Sequence, residues 1–238
     1  MAMPETAAAT TDAWPARPAD VQSDAYLVWL RDLLWPDRVE RFGGVLLVSS
    51  APVPEHQQAV LALGAWLREW ATDSRAGEVL PAAELRLEGA GLPRPVRGRR
   101  PDTGVPDLLL YRFDNPRCRR VPSGPRSVPA GYVEGAPDLV VEVRSPGTED
   151  YDLSEKRAAF ARAAVLHYWV LDWAARTALV LTDPSEGDYR HETTVGWADL
   201  RWPPAGDPES RRWGDDPRFP PFSPTSADPP QPPVERSG

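Results

Sequence analysis

Apolar residues recur at helical spacing in three stretches of the chain and alternate or run together in the others. Tyr26, Trp29, Leu30, Leu33 and Leu34 make one stripe, so Ser23 to Leu34 is predicted as an amphipathic helix with Ser23 as N-cap and Pro36 as its stop. Val60, Leu61, Leu63, Leu67 and Trp70 make a stronger one and predict a helix from Pro54 to Ala71. Asp152 to Ala164 reads as a third helix, opened by Asp152 and Glu155 at the spacing of a capping box. Between them, Val39 to Ser50 predicts a strand or hairpin bent at Gly43-Gly44, and Glu78 to Leu87 an alternating strand. Val105 to Tyr111 and Pro137 to Pro146 predict two short buried strands. The roughly twenty-five residues joining those two are rich in Arg, Pro and Gly and read as one long loop, a length that is uncommon without a function. Val165 to Asp172 and Thr177 to Thr182 form a predicted hairpin, and Tyr189 to Val195 adds a further strand. The expected class is α/β, with a mixed central sheet flanked by helices.

Composition bounds this picture. Of 238 residues 29 are proline, many of them outside the predicted elements. Residues 1–20 and 203–238 are expected to be disordered tails around one domain at 21–202. Cys118 is the only cysteine, which excludes an intrachain disulfide. No apolar run approaches the roughly eighteen residues of a membrane span, and the first twenty residues carry no leader pattern, so a cytoplasmic protein without a membrane partner is expected. The net charge of −8 is uneven, with nine Arg against three Asp between Arg94 and Arg126. That basic stretch reads equally as a DNA-phosphate-binding edge and as a solvated loop.

The candidate chemistry starts at Glu142. Along the strand Asp138, Val140, Glu142 and Arg144 share one face, and Leu139, Val141 and Val143 the other. A carboxylate inside so apolar a strand requires compensation by a metal, a cation or a cleft. Asp138 cannot share an ion with it, because four strand residues span about 13 Å. Asp107 can: if the two strands pair antiparallel it lies opposite Glu142, with side-chain bases about 5 Å apart. Oxygen ligands of this kind suit Mg²⁺ or Mn²⁺. Lys156 is the single lysine among 27 cationic residues and falls in the apolar stripe of its helix, near the end of the Glu142 strand. Two acids, a metal and a lysine equip a protein for phosphodiester hydrolysis. Plainer readings stand beside these. Asp107 and Glu142 could pair with Arg144 and other arginines. Asp138 could cap its strand, Asp152 its helix, and His56 could be a surface residue.

Several segments, in order, resemble a known family. They are Gly-Val-Leu-Leu-Val at 44–48, His56 opening a helix, Val-Pro-Asp at 105–107, Pro-Asp-Leu-Val-Val-Glu-Val-Arg-Ser-Pro at 137–146, Tyr-Asp…Lys at 151–156 and His-Tyr-Trp-Val-Leu-Asp at 167–172. Together they resemble the Uma-type putative restriction endonuclease family of the PD-(D/E)XK nuclease-like clan. The resemblance implies a restriction-endonuclease-like core and an endonuclease acting on DNA. Asp107 and Glu142 would be its metal ligands and Lys156 its catalytic lysine, with His56, Asp138, Arg144 and Asp152 as candidates to support them from behind. Many nucleases of this fold pair up to cut both strands, which leaves the oligomeric state open with a homodimer as one candidate. Arg144 stands where the clan pattern has lysine, and Ala164 and Leu166 stand where Gly and Pro are usual. The alternative is a nuclease fold that has lost turnover and serves as a nucleic-acid-binding or protein-interaction module.

Overall fold

Gly43 and Gly44 both have positive φ, 58° and 85°, the backbone a two-residue hairpin turn demands, and they join β1 (Arg38–Phe42) to β2 (Val45–Ser49) as the Gly-Gly pair predicts. The computed structural model to which they belong describes residues 38–49, 52–88, 101–122, 131–145, 149–217 and 219. The predicted helix at Ser23 to Leu34 and the tail at 1–20 lie outside the described residues.

The helix predicted from Pro54 is α1 (Pro54–Ser74), with Pro in its first turn and Leu63, Leu67 and Trp70 on its buried stripe. The strand expected at Glu78 to Leu87 divides into β3 (Gly77–Pro81) and β4 (Leu85–Arg86), parted at Ala82 where φ turns positive, and the halves enter different sheets. Likewise β5 (Thr103–Gly104) separates from β6 (Leu108–Arg112). The long loop is not structureless: β7 (Cys118–Val121) and β8 (Tyr132–Gly135) pair antiparallel within it. Arg-rich composition hid these strands, because their exposed positions are the arginines. There follow β9 (Leu139–Val143), a three-part helix α2, β10 (His167–Asp172), β11 (Thr177–Ser185) and β12 (Asp188–Gly196). In α2 a helical turn Glu149–Tyr151 runs through a π-helical turn Asp152–Lys156 into Arg157–Arg162.

Two six-stranded sheets result, β2-β1-β5-β4-β8-β7 and β12-β11-β10-β9-β6-β3. The second is mixed: β9 and β10 are parallel across the α2 connection and its other pairs are antiparallel. Its two faces bury two cores. Leu108, Leu110, Leu139, Val141 and Val143 pack with α1, whereas Leu109, Val140, Phe160 and Tyr168 pack with Phe42 and Leu85 of the first sheet. Period-two alternation in β6 and β9 thus assigns each side chain to one core or the other.

Ala164 has φ 57°, a left-handed backbone that costs an L-residue about 1–2 kcal/mol. Glycine, the residue usual there in the family pattern, removes that cost. Ala164→Gly is expected to raise stability by about 0.5–1 kcal/mol, read from urea melts.

The expected C-terminal tail does not begin at 203. Strands β13 (Arg201–Trp202) and β14 (Arg211–Arg212) pair, and Trp213 is buried between Trp66 of α1 and Trp197, with ring centroids 6.1 and 5.4 Å away. Composition dominated by Pro, Asp and Arg suggested disorder, but two tryptophans bury enough surface to anchor the segment. Trp213→Ala should cost about 3 kcal/mol in chemical denaturation. An unchanged midpoint would restore the domain edge at 202.

His167 lies half-buried with its ring edge-on to Trp202, centroids 5.4 Å apart, and burial pushes its pKa down to about 4. The unfolded chain takes up the proton near 6.5, so this contribution to stability is complete above about pH 6.5. It is lost as pH falls through 4, by up to about 3 kcal/mol. Melts of wild type and His167→Gln at pH 7, 5.5 and 4 should show it as a difference, with wild type losing stability relative to the variant as pH falls.

Candidate active site

Every residue of β9 is buried, and its alternation turns Glu142 toward α2 and the first sheet. The antiparallel register of β6 on β9 pairs Leu108 with Val141, which sets Asp107, one residue earlier, opposite Glu142. Both carboxylates are 2% exposed. Asp107 Oδ2 accepts a hydrogen bond from the Val143 backbone N–H at 2.8 Å and lies 3.0 Å from His56 Nε2. His56, buried in the first turn of α1, is therefore brought to the site.

Lys156 closes the π-helical turn of α2, a distortion frequent at functional positions. Its Nζ donates to Glu142 Oε1 at 3.0 Å and lies 3.0 Å from Glu40 Oε2 and 3.1 Å from Asp152 Oδ1. Asp152 does not cap the helix; its side chain is buried against this ammonium, because the helical turn at Glu149–Tyr151 already precedes it. Glu40 is the member that sequence reasoning missed. It projects from β1 with Oε1 accepting from the Val105 N–H at 2.7 Å and is 1% exposed. Nothing local marks it, since an acid in a hairpin strand ordinarily faces water. Only the stacking of the two sheets carries it over Lys156.

The electrostatics follow from one ammonium among so many carboxylates. Burial works against the Lys156 charge, but Glu142, Glu40 and Asp152 outweigh it and raise its pKa, so the lysine stays charged. Burial raises Glu142 well above the usual carboxylate range, and Asp107, Asp152 and Glu40 add to that against the pull of Lys156. Asp152 is raised for the same reason, with burial the largest cause. A single cation cannot hold all these acids ionised. On the same wall the Tyr151 hydroxyl is buried without a hydrogen-bond partner among the described residues, a state that costs about 1–3 kcal/mol. Burial and the negative charge of Glu40 raise its pKa, so it remains a protonated donor.

The remaining candidates lie elsewhere. Asp138 Oδ2 accepts from the Arg112 backbone N–H and from Asn115 Nδ2, which ties the β6–β7 turn to β9 and leaves it away from Lys156. Arg144, in the clan's lysine slot, makes a half-buried pair with Asp172 at 3.0 Å. Of the basic stretch, Arg94 to Arg100 and Arg126 lie outside the described residues. Arg112, Arg119 and Arg120 pair with Asp114, Glu134 and Glu78.

The donor set suits a hard divalent cation: it is all carboxylate oxygen and carries more negative charge than Lys156 offsets. Among the described residues no group of three or more His, Cys, Asp or Glu is placed to cage a metal. Mg²⁺ needs no such cage, because it takes one or two carboxylates and completes its shell with water and substrate phosphate. Asp107 and Glu142, facing each other across the ladder, fit that pattern. Among the described residues no helix is long and apolar enough to cross a membrane.

A family model, Uma2, described as "Putative restriction endonuclease", matches residues 29–203. The crystal structure of a "putative nuclease belonging to DUF820" from Anabaena variabilis ATCC 29413 is 14% identical. It covers 70% of this chain and 80% of its own, with a TM-score of 0.50. At that identity it shows the fold, which is mixed α/β and restriction-endonuclease-like. No curated protein matches the chain.

Proposed function

The chain belongs to the Uma2 family of restriction-endonuclease-like nucleases, and on that premise we propose that it is a metal-dependent endonuclease that hydrolyses phosphodiester bonds of DNA. The observation that carries this reading is the buried cluster in which Asp107 faces Glu142 and Lys156 touches Glu142, Glu40 and Asp152. So costly a burial of charge has no use in stability alone, where apolar side chains of similar volume serve as well or better.

Asp107 and Glu142 would hold Mg²⁺ or Mn²⁺, which when bound polarises a phosphate and acidifies a water molecule. The chain's own groups prepare the site for that ion. The Val143 N–H and His56 engage the same oxygen of Asp107 and so fix its rotamer. Lys156 brings a permanent positive charge to the place where the phosphorus gains a fifth oxygen and an added negative charge. Hydrolysis forms a P–O bond from water and breaks the bond to one ester oxygen, which takes up the proton the water gives up. The basic stretch from Arg94 to Arg126 would approach the DNA backbone. Its exposed Arg119 and Arg120 can exchange weak surface ion pairs for phosphate.

The test is cleavage of supercoiled plasmid and branched DNA by the purified chain with Mg²⁺, with Mn²⁺ and with a chelator. Cutting that needs the metal and is lost in Asp107→Asn is the expected result. If wild type and Asp107→Asn bind DNA alike and neither cuts under any condition, the protein is a nuclease-fold binding module instead.

A further inference from the structure

Tyr151 ends the first helical turn of α2, one residue before Asp152 and five before Lys156. Its ring packs edge-on against Phe42, centroids 6.1 Å apart. Phe42 shares its face of β1 with Glu40, two residues earlier, so the tyrosine stands beside the Glu40 side of the carboxylate cluster. Among the charged groups acting on its hydroxyl, Glu40 and Lys156 come first.

The hydroxyl is buried and has no hydrogen-bond partner among the described residues, although Tyr151 as a whole is only half-buried. The neighbouring tyrosines of the same core behave otherwise. Tyr168 donates to the Asp152 carbonyl at 2.9 Å and Tyr189 to the Val165 carbonyl at 3.1 Å. Buried phenols ordinarily find an acceptor, and the exceptions call for a reason. Here a donor is left over at the edge of a site whose other donor, Lys156, is already engaged by three carboxylates. An anion entering among those carboxylates meets repulsion unless neutral donors also line its path. A phenol O–H is such a donor, and Tyr151 is half-buried where Glu40, Glu142 and Asp152 are almost wholly enclosed, which sets it toward the solvent side of the cluster.

We propose that Tyr151 is a further catalytic residue, whose hydroxyl donates a hydrogen bond to a non-bridging oxygen of the phosphodiester under attack. The assignment rests on the endonuclease reading of the same site. The hydrogen bond positions the phosphate beside Asp107, Glu142 and Lys156 and strengthens as the phosphorus gains negative charge, so it acts more on turnover than on substrate affinity.

The experiment uses the full chain and Tyr151→Phe, which keeps the ring against Phe42 and removes only the oxygen. Three quantities are compared: the melting temperature, the affinity for a short DNA duplex in Ca²⁺, and kcat and KM for cleavage in Mg²⁺ or Mn²⁺. The variant is expected to lose about a hundredfold in kcat, to bind the duplex several-fold more weakly, and to melt no lower than wild type, because an unpaired donor has been removed. Equal cleavage and equal affinity overturn the assignment to Tyr151 and leave the nuclease reading intact. A loss of activity accompanied by a lower melting temperature also overturns it, since the residue would then act through packing. If wild type binds the duplex but never cuts, the nuclease reading falls, and weaker binding by Tyr151→Phe still upholds the phosphate contact. A wild-type protein that neither binds nor cuts overturns both.

Discussion

Glu142→Gln is expected to yield a protein at least as stable as wild type that has lost its cleavage activity by about 10²–10³-fold or more. Burial and three neighbouring acids hold Glu142 toward its protonated form in the metal-free protein. Glutamine copies the shape of that form, and Lys156 keeps Glu40 and Asp152 as partners. The sign of the pH dependence separates this from an ordinary structural ion pair. A carboxyl whose folded pKa is raised binds more protons in the native than in the unfolded state. The contribution of Glu142 to wild-type stability should therefore fall as pH rises from about 4.5 toward the folded pKa. The variant escapes that loss, so its advantage over wild type should grow with pH across the window. Urea melts at several pH values, run beside plasmid cleavage, measure both effects. A variant that is inert but much less stable would point to a scaffold role for Glu142.

Lys156→Met should do the opposite to stability and the same to activity. Methionine matches the lysine's length and fills its volume, but it leaves Glu142, Glu40 and Asp152 buried around a thioether. Breaking a buried pair from one side costs about 3–5 kcal/mol, a large part of the 5–15 kcal/mol typical of a domain. The melting temperature should drop accordingly. Addition of Mn²⁺ should then restore more stability to the variant than it gives wild type, because a cation again sits among the acids. A variant that melts within about 1 kcal/mol of wild type would show that the carboxylates shed their charge without help, and that the lysine is not their counter-charge.

These two expectations mark what could and could not be read from the chain. The pairing of Asp107 with Glu142 was legible. Period-two alternation fixes which face of β9 carries Glu142, and an antiparallel neighbour places Asp107 across from it. Lys156 was legible as the lone lysine in an apolar helical stripe. Asp152 was misjudged as an N-cap, because the capping-box spacing is satisfied equally by a helix that starts a turn earlier and bulges. The strands β7 and β8 were hidden inside what looked like a loop, since the outward side chains of β7 are arginines and β8 finds its second partner in β4, far back along the chain.

The amino-acid sequence by itself thus determined the elements whose signal is local: α1, the Gly43-Gly44 hairpin, the buried strand β9 with its acid, and the strand–helix–strand order of β9, α2 and β10. Each depends on side-chain periodicity or on a turn that only glycine enters easily. The tertiary structure alone decided what depends on distant surfaces meeting. It brought Glu40 of the first sheet to Lys156, set His56 against Asp107, left the Tyr151 hydroxyl without an acceptor among the described residues, and folded Trp213 onto Trp66. The physical reason is the same in each case: a charge or a ring far along the chain acquires its partner only when two layers close over it, and no short window of residues records which layer that is.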